Sequence, residues 1–123
     1  MIVLDTSVLV DALTGSHRSE PSLRKTIEGG ERILLPSLVL YEWLRGPRFP
    51  QEIETQEALF PRAGALAFGP EESALAASLY QSVRSPRGRE IDLAIAAHAL
   101  SRGASLWTLD PADFDDIPDL ELW

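Results

Sequence analysis

The chain begins with Ile2-Val3-Leu4, an unbroken apolar run with two β-branched side chains, and meets an acid, Asp5, at once. A strand with one wet face alternates apolar and polar residues, so a run without alternation has to be covered on both faces. Such strands belong to parallel sheets flanked by helices. Ile33-Leu34-Leu35 repeats the pattern, and Leu106-Trp107-Thr108-Leu109 reads as a further strand. Helix signals fill the intervals. Ser7 to Leu13 reads as a short helix ended by Thr14-Gly15, and Pro21 opens another that stops at Gly29-Gly30. Ser37 is the expected N-cap of a helix ended by Gly46-Pro47, while Pro50 and Pro61 bracket the next. Pro70-Glu71-Glu72 places acids at the positive end of a helix, and Ile91 to Leu100 forms the last one before Gly103. Ala65 to Phe68 and Leu120 to Trp123 are further strand candidates. The alternation predicts an α/β fold whose mostly parallel sheet is covered on both faces, with ligands bound beyond the carboxyl ends of the strands.

The length of 123 residues is that of one domain, and 45% apolar residues against 24% charged describe a globular chain. The absence of cysteine excludes disulfides, thiol catalysis and cysteine-based zinc sites, and fits a reducing cytosol. Asp5 arrives too early for a signal peptide or a membrane span, so a soluble cytoplasmic protein is expected. A net charge of −8, taken in bulk, argues against nucleic acid, which is held by Lys and Arg at its phosphates.

The positions of the acids qualify that argument. Asp5 follows the first strand directly, and Asp110 stands in the same relation to the Leu106–Leu109 strand. Each admits a plainer role as a helix cap or turn residue. Glu42 rides at the border of the buried face of its helix, where an ordinary boundary glutamate would also stand. Asp92 heads a stripe of Ile95, Ala96 and Ala99, so its carboxylate is partly desolvated unless a cation compensates it; a capping role is the alternative. Together the acids would repel one another without a counter-ion, and an all-oxygen set suits Mg²⁺ or Mn²⁺ rather than zinc. His98 lies about 240° round the helix from Asp92 and points away from it, as a packed or surface histidine.

Four segments, Ile2–Leu13, Ser37–Gly46, Glu90–Phe114 and Ile117–Trp123, resemble in their motifs and order the PIN-domain family, and within it the VapC-like toxin ribonucleases of toxin–antitoxin systems. The resemblance implies a single PIN domain over residues 1–123, an α/β/α sandwich around a parallel sheet of about five strands. It implies Asp5, Glu42 and Asp92 as core acids and Asp110 as the fourth, with Asp113 as its substitute, and Thr6 and Ser7 as hydroxyls that support the acids or a metal-bound water. The implied activity is a Mg²⁺- or Mn²⁺-dependent endoribonuclease, in which metal-activated water attacks an RNA phosphodiester. The implied partners are RNA, a small cognate antitoxin and a second copy of the chain, with no membrane.

Half of the net charge then belongs to the expected ligands, and arginines flank them. Arg87 and Arg89, in the basic stretch Ser85 to Arg89, are expected to contact substrate phosphate, their alternative being ordinary solvated arginines. Trp43, Leu44, Phe49 and Phe60 are candidates for a partner surface or for the core. A phosphatase that also starts with a strand and Asp needs a second Asp where this chain has Ser7, and a receiver domain needs a late lysine, whereas the only lysine is Lys25. Two further readings stay open: a PIN-like scaffold without catalysis, and a PIN nuclease in RNA processing unrelated to toxins.

Overall fold

Ile2, Val3 and Leu4 are fully buried and form the central strand, β1 (Ile2–Leu4), of a parallel sheet in the order β2-β1-β3. The computed structural model describes residues 1–123. β2 (Ile33–Leu34) pairs Ile33 with Ile2, and β3 (Ser105–Trp107) pairs Leu106 with Val3 and Trp107 with Leu4. The helices are α1 (Thr6–Leu13), α2 (Glu20–Glu28), α3 (Ser37–Arg45), α4 (Pro50–Leu59), α5 (Pro70–Ser82) and α6 (Glu90–Arg102). No helix is long and apolar enough to cross a membrane.

The expected sheet of about five strands is reduced to three strands with one isolated bridge on each edge. Leu66 bridges Pro36 beside β2 through Leu66 N–H to Leu35 C=O at 2.9 Å and Ser37 N–H to Leu66 C=O at 2.8 Å. Pro36 has no N–H to extend that ladder. Leu122 bridges Leu106 on the other edge, through Leu106 N–H to Glu121 C=O and Trp123 N–H to Leu106 C=O, both 2.8 Å. Pro118 and Asp119, the latter at φ 63°, keep the chain before it from running as a strand. The chain thus follows a five-track parallel order, with the outer tracks too short to be strands.

The helices start and stop largely as their punctuation predicts. In α4 and α5, Pro50 and Pro70 begin the helix, and Glu52 and Glu72 accept from the backbone N–H groups of Phe49 and Gly69 at 2.7 and 3.2 Å. α6 ends at Gly103, whose φ of 61° needs a residue without Cβ strain. Ser37 differs from expectation: it is the first helical residue of α3, Pro36 takes the cap position, and no side chain caps that end.

α6 is buried continuously from Leu93 to Ala99, and its alanines bring it close against the sheet. His98 is fully buried within this run. Trp43 and Phe60 belong to the core, whereas Leu44 and Phe49 are exposed. Phe114 and Ile117 are also buried, which draws the chain after β3 back over the start of α6.

Candidate active site

The backbone brings the first acid to its place. Asp5 N–H donates to Trp107 C=O at 2.9 Å, so the carboxyl ends of β1 and β3 are locked side by side. Asp5 is 5% exposed and occupies the cap position of α1, yet its side chain does not cap the helix. Its carboxylate is instead held by hydroxyls. Thr108 Oγ1 and Ser7 Oγ donate to the same oxygen, Oδ2, at 2.7 and 2.9 Å. Each hydroxyl is itself fixed by a backbone donor: Leu109 N–H to Ser7 Oγ and Asp110 N–H to Thr108 Oγ1, both at 3.0 Å. Oδ1 of Asp5 accepts from none of these groups.

Glu42 reaches the same region from the middle of α3. Thr6 Oγ1 donates to its Oε1 at 2.7 Å, and Arg45, one turn on, reaches Oε2 at 3.4 Å. Thr6 and Ser7, expected to support the acids, thus do so through Glu42 and Asp5. Thr108 is a hydroxyl on Asp5 that the residue pattern does not single out. Its signal was a hydroxyl at the carboxyl end of a buried strand, the counterpart of Thr6 after β1.

Asp92 lies in the first turn of α6, one face toward the sheet. Burial pushes its carboxyl up to about 6, and the charges of Asp5, Asp113 and Glu42 push in the same direction, while Arg89 opposes them. No hydrogen bond to Asp92 offsets the cost. The carboxylates acting most on Asp92 therefore come from the β1–α1 junction, α3 and the single 3-10 turn Pro111–Asp113. Of the two acids Asp110 and Asp113, it is Asp113 whose charge bears on Asp92. Asp110 is exposed and lines a neighbouring groove with Thr6, Ser7, Asp11, Thr14 and Arg18.

Arg89 also departs from expectation. Its guanidinium grips Asp116 with two hydrogen bonds, at 2.9 and 2.6 Å, and a further one reaches the backbone carbonyl of Asp113 at 2.9 Å. These donors are occupied within the protein. Arg87 is exposed and takes part in no ion pair.

The donor chemistry fits a hard divalent cation: several carboxylate oxygens, one half-buried acid without a hydrogen-bond donor, and mutual repulsion to relieve. No three acidic or histidine side chains surround one point closely enough to complete a ligand set by themselves. That suits Mg²⁺, which keeps several of its waters and takes only one or two carboxylates directly.

A family model described as PIN domain matches residues 2–120, nearly the whole chain. The chain belongs to the PIN-domain family. Among curated relatives, Ribonuclease VapC19 of Mycobacterium tuberculosis is 32% identical over 123 residues, covering 98% of both chains. Among solved structures, the PIN fold is shared with VapBC2 from Rickettsia felis bound to a promoter DNA fragment, at a TM-score of 0.76 and 22% identity over 100% of this chain and 98% of that one. It is shared too with a toxin–antitoxin complex from Klebsiella pneumoniae, at a TM-score of 0.73 and 20% identity over 98% of this chain and 95% of that one. The PIN fold accounts for the position of the acids at the carboxyl end of the parallel sheet.

Proposed function

We propose that this PIN domain is a metal-dependent endoribonuclease and the toxin of a toxin–antitoxin pair. The observation that carries the reading is Asp92, a partly buried carboxylate with no hydrogen-bond donor, faced by Asp5, Asp113 and Glu42. Its similarity to a VapC ribonuclease along its full length supports RNA as the substrate, and its structural likeness to toxin–antitoxin complexes supports a small antitoxin as partner.

Of Asp5, Glu42, Asp92 and Asp113, one or two would hold Mg²⁺ or Mn²⁺ directly and the others through its waters; the ion supplies an activated water and neutralises charge at the phosphodiester. Thr108 and Ser7 fix the rotamer of Asp5 through one oxygen and leave the other without a donor. Thr6 likewise holds one oxygen of Glu42. Preorganisation of this kind keeps repelling carboxylates in place before any ion arrives. Arg87, exposed in the loop before α6, would meet substrate phosphate. The protein works in the cytoplasm as a homodimer, released from inhibition when its antitoxin is lost.

Cleavage of RNA by the purified chain tests the enzymatic half of this reading. Cleavage that needs Mg²⁺ or Mn²⁺, stops with EDTA and is lost in Asp5→Asn supports it; equal cleavage with EDTA or by the variant overturns it. Growth arrest on expressing the chain alone, relieved by co-expressing the neighbouring small reading frame, tests the toxin half.

A further inference from the structure

Arg89 stands at the start of α6, three residues before Asp92, and its side chain reaches across to the segment after β3. It donates to both carboxylate oxygens of Asp116 and to the main-chain oxygen of Asp113. A planar guanidinium bound in this way fixes the rotation of its partner segment as well as its distance. The segment needs fixing. Pro111–Asp113 is a single 3-10 turn with no side-chain cap, and such turns have poor hydrogen-bond geometry of their own. Phe114 and Ile117 anchor it in the core from below, yet Asp113 itself is exposed. Its negative charge also bears on Asp92.

We infer that Arg89 and Asp116 form a latch that seats the turn carrying Asp113 against Asp92, which makes both of them positioning residues for the acid cluster. The inference rests on reading that cluster as the metal-dependent nuclease site. The latch also supplies a cation beside the acids that pulls against their mutual repulsion, since Arg89 acts on Asp92 and Asp113 as well as on Asp116. The core anchors keep the fold when the latch is broken, so its effect can be measured apart from unfolding.

The test uses the full chain with Asp116→Asn, with Asp115→Asn as a control that removes the same charge from an exposed neighbour. Hydrogen exchange at the amides of Asp113 and Phe114, which close the turn onto Asp110 and Pro111, is expected to quicken about tenfold in Asp116→Asn, with α6 unchanged. Mn²⁺ affinity by calorimetry is expected to fall about 10–100-fold, with RNA turnover losing kcat and keeping KM. Arg89→Lys, which keeps the charge but not the fork, should fall between the wild type and Arg89→Met. Unchanged exchange overturns the latch, as does an equal effect from Asp115→Asn. Faster exchange with unaltered Mn²⁺ affinity overturns its positioning role. Should the wild-type chain neither bind Mn²⁺ nor cut RNA, the nuclease reading fails, while the exchange rates still decide whether the turn is latched.

Discussion

Thr108 donates its hydroxyl to Asp5 Oδ2 at 2.7 Å across 103 residues of sequence, joining the ends of β1 and β3 through side chains as well as backbone. Ser7 shares that oxygen, so Asp5 is held by two donors, one from the helix it precedes and one from the residue that follows the neighbouring strand.

Thr108→Val keeps the shape of the side chain and removes its hydroxyl. A hydrogen bond to a charged group contributes about 1.5–3 kcal/mol, and the remaining Ser7 donor puts the expected loss at the lower end. Urea unfolding should show a decrease of about 1–2 kcal/mol, and Mn²⁺ affinity should fall about tenfold as Asp5 gains rotational freedom. A variant with unaltered metal affinity would mean that Ser7 alone orients the carboxylate.

Asp92 predicts a stability that depends on pH in a defined direction. Its folded carboxyl sits at about 6, above the ordinary value of 3.8, so the folded chain holds a proton that the unfolded chain has lost between those values. The contribution of the protonated form is complete below about pH 4 and is lost as the pH rises through about 6. Above that range the metal-free protein bears a buried, repelled charge. Asp92→Asn removes it. Since a pKa unit corresponds to about 1.4 kcal/mol and water partly screens this group, the metal-free variant should be about 1–2 kcal/mol more stable than the wild type at pH 7.5 and equal to it near pH 4. Thermal or urea unfolding in EDTA at the two pH values measures the difference; a less stable variant at pH 7.5 would contradict the repulsion.

His98 gives the opposite slope. Burial lowers its pKa and the nearby Arg102 lowers it further, against an opposing pull from Glu72. The ring packs against Phe68 at 5.9 Å, its Nδ1 lies 3.4 Å from Arg102 Nη1, and Nε2 is buried without a partner. The folded chain therefore resists a proton that the unfolded chain takes up as the pH falls below about 6.5. Stability present above that value should decline on acidification, and His98→Gln, which does not titrate there, should flatten the decline. The slopes of unfolding free energy between pH 5 and 7 for the two proteins check this, and parallel slopes would remove His98 as the cause.

Much of the site was legible in the residues because the chemistry is tied to punctuation. An unbroken apolar run ending in Asp5 announces both a buried strand and an acid at its carboxyl end, and Asp92 is conspicuous at the head of an alanine-rich stripe. What the residues withhold are relations across distance. Thr108 is unremarkable in a strand until Asp5 lies beside it, and Arg89 reads as a solvated arginine until the chain after β3 brings Asp116 back to it. The outer strands were overestimated for a related reason. Apolar composition at Leu66 and Leu122 draws the chain to the sheet edge, but ladder length depends on Pro36, Pro118 and Asp119.

Asp110 and Asp113 pose the sharpest test, because they lie in one short turn and no pattern of spacing separates them. The 3-10 turn rotates them apart. Asp113 bears on Asp92 with its charge, while Asp110 gives its backbone N–H to Thr108 and lines a groove shared with Asp11 and Thr14. Substitution by Asn preserves size and removes charge, so the two variants compare position alone. Asp113→Asn is expected to lower RNA turnover and Mn²⁺ affinity by about 10–100-fold, whereas Asp110→Asn should keep both within about threefold, the scale of an exposed charge acting through water. Steady-state cleavage and calorimetry on the two variants, side by side, measure this. The reverse order would make Asp110 the fourth acid and require the turn to rearrange when metal and RNA bind.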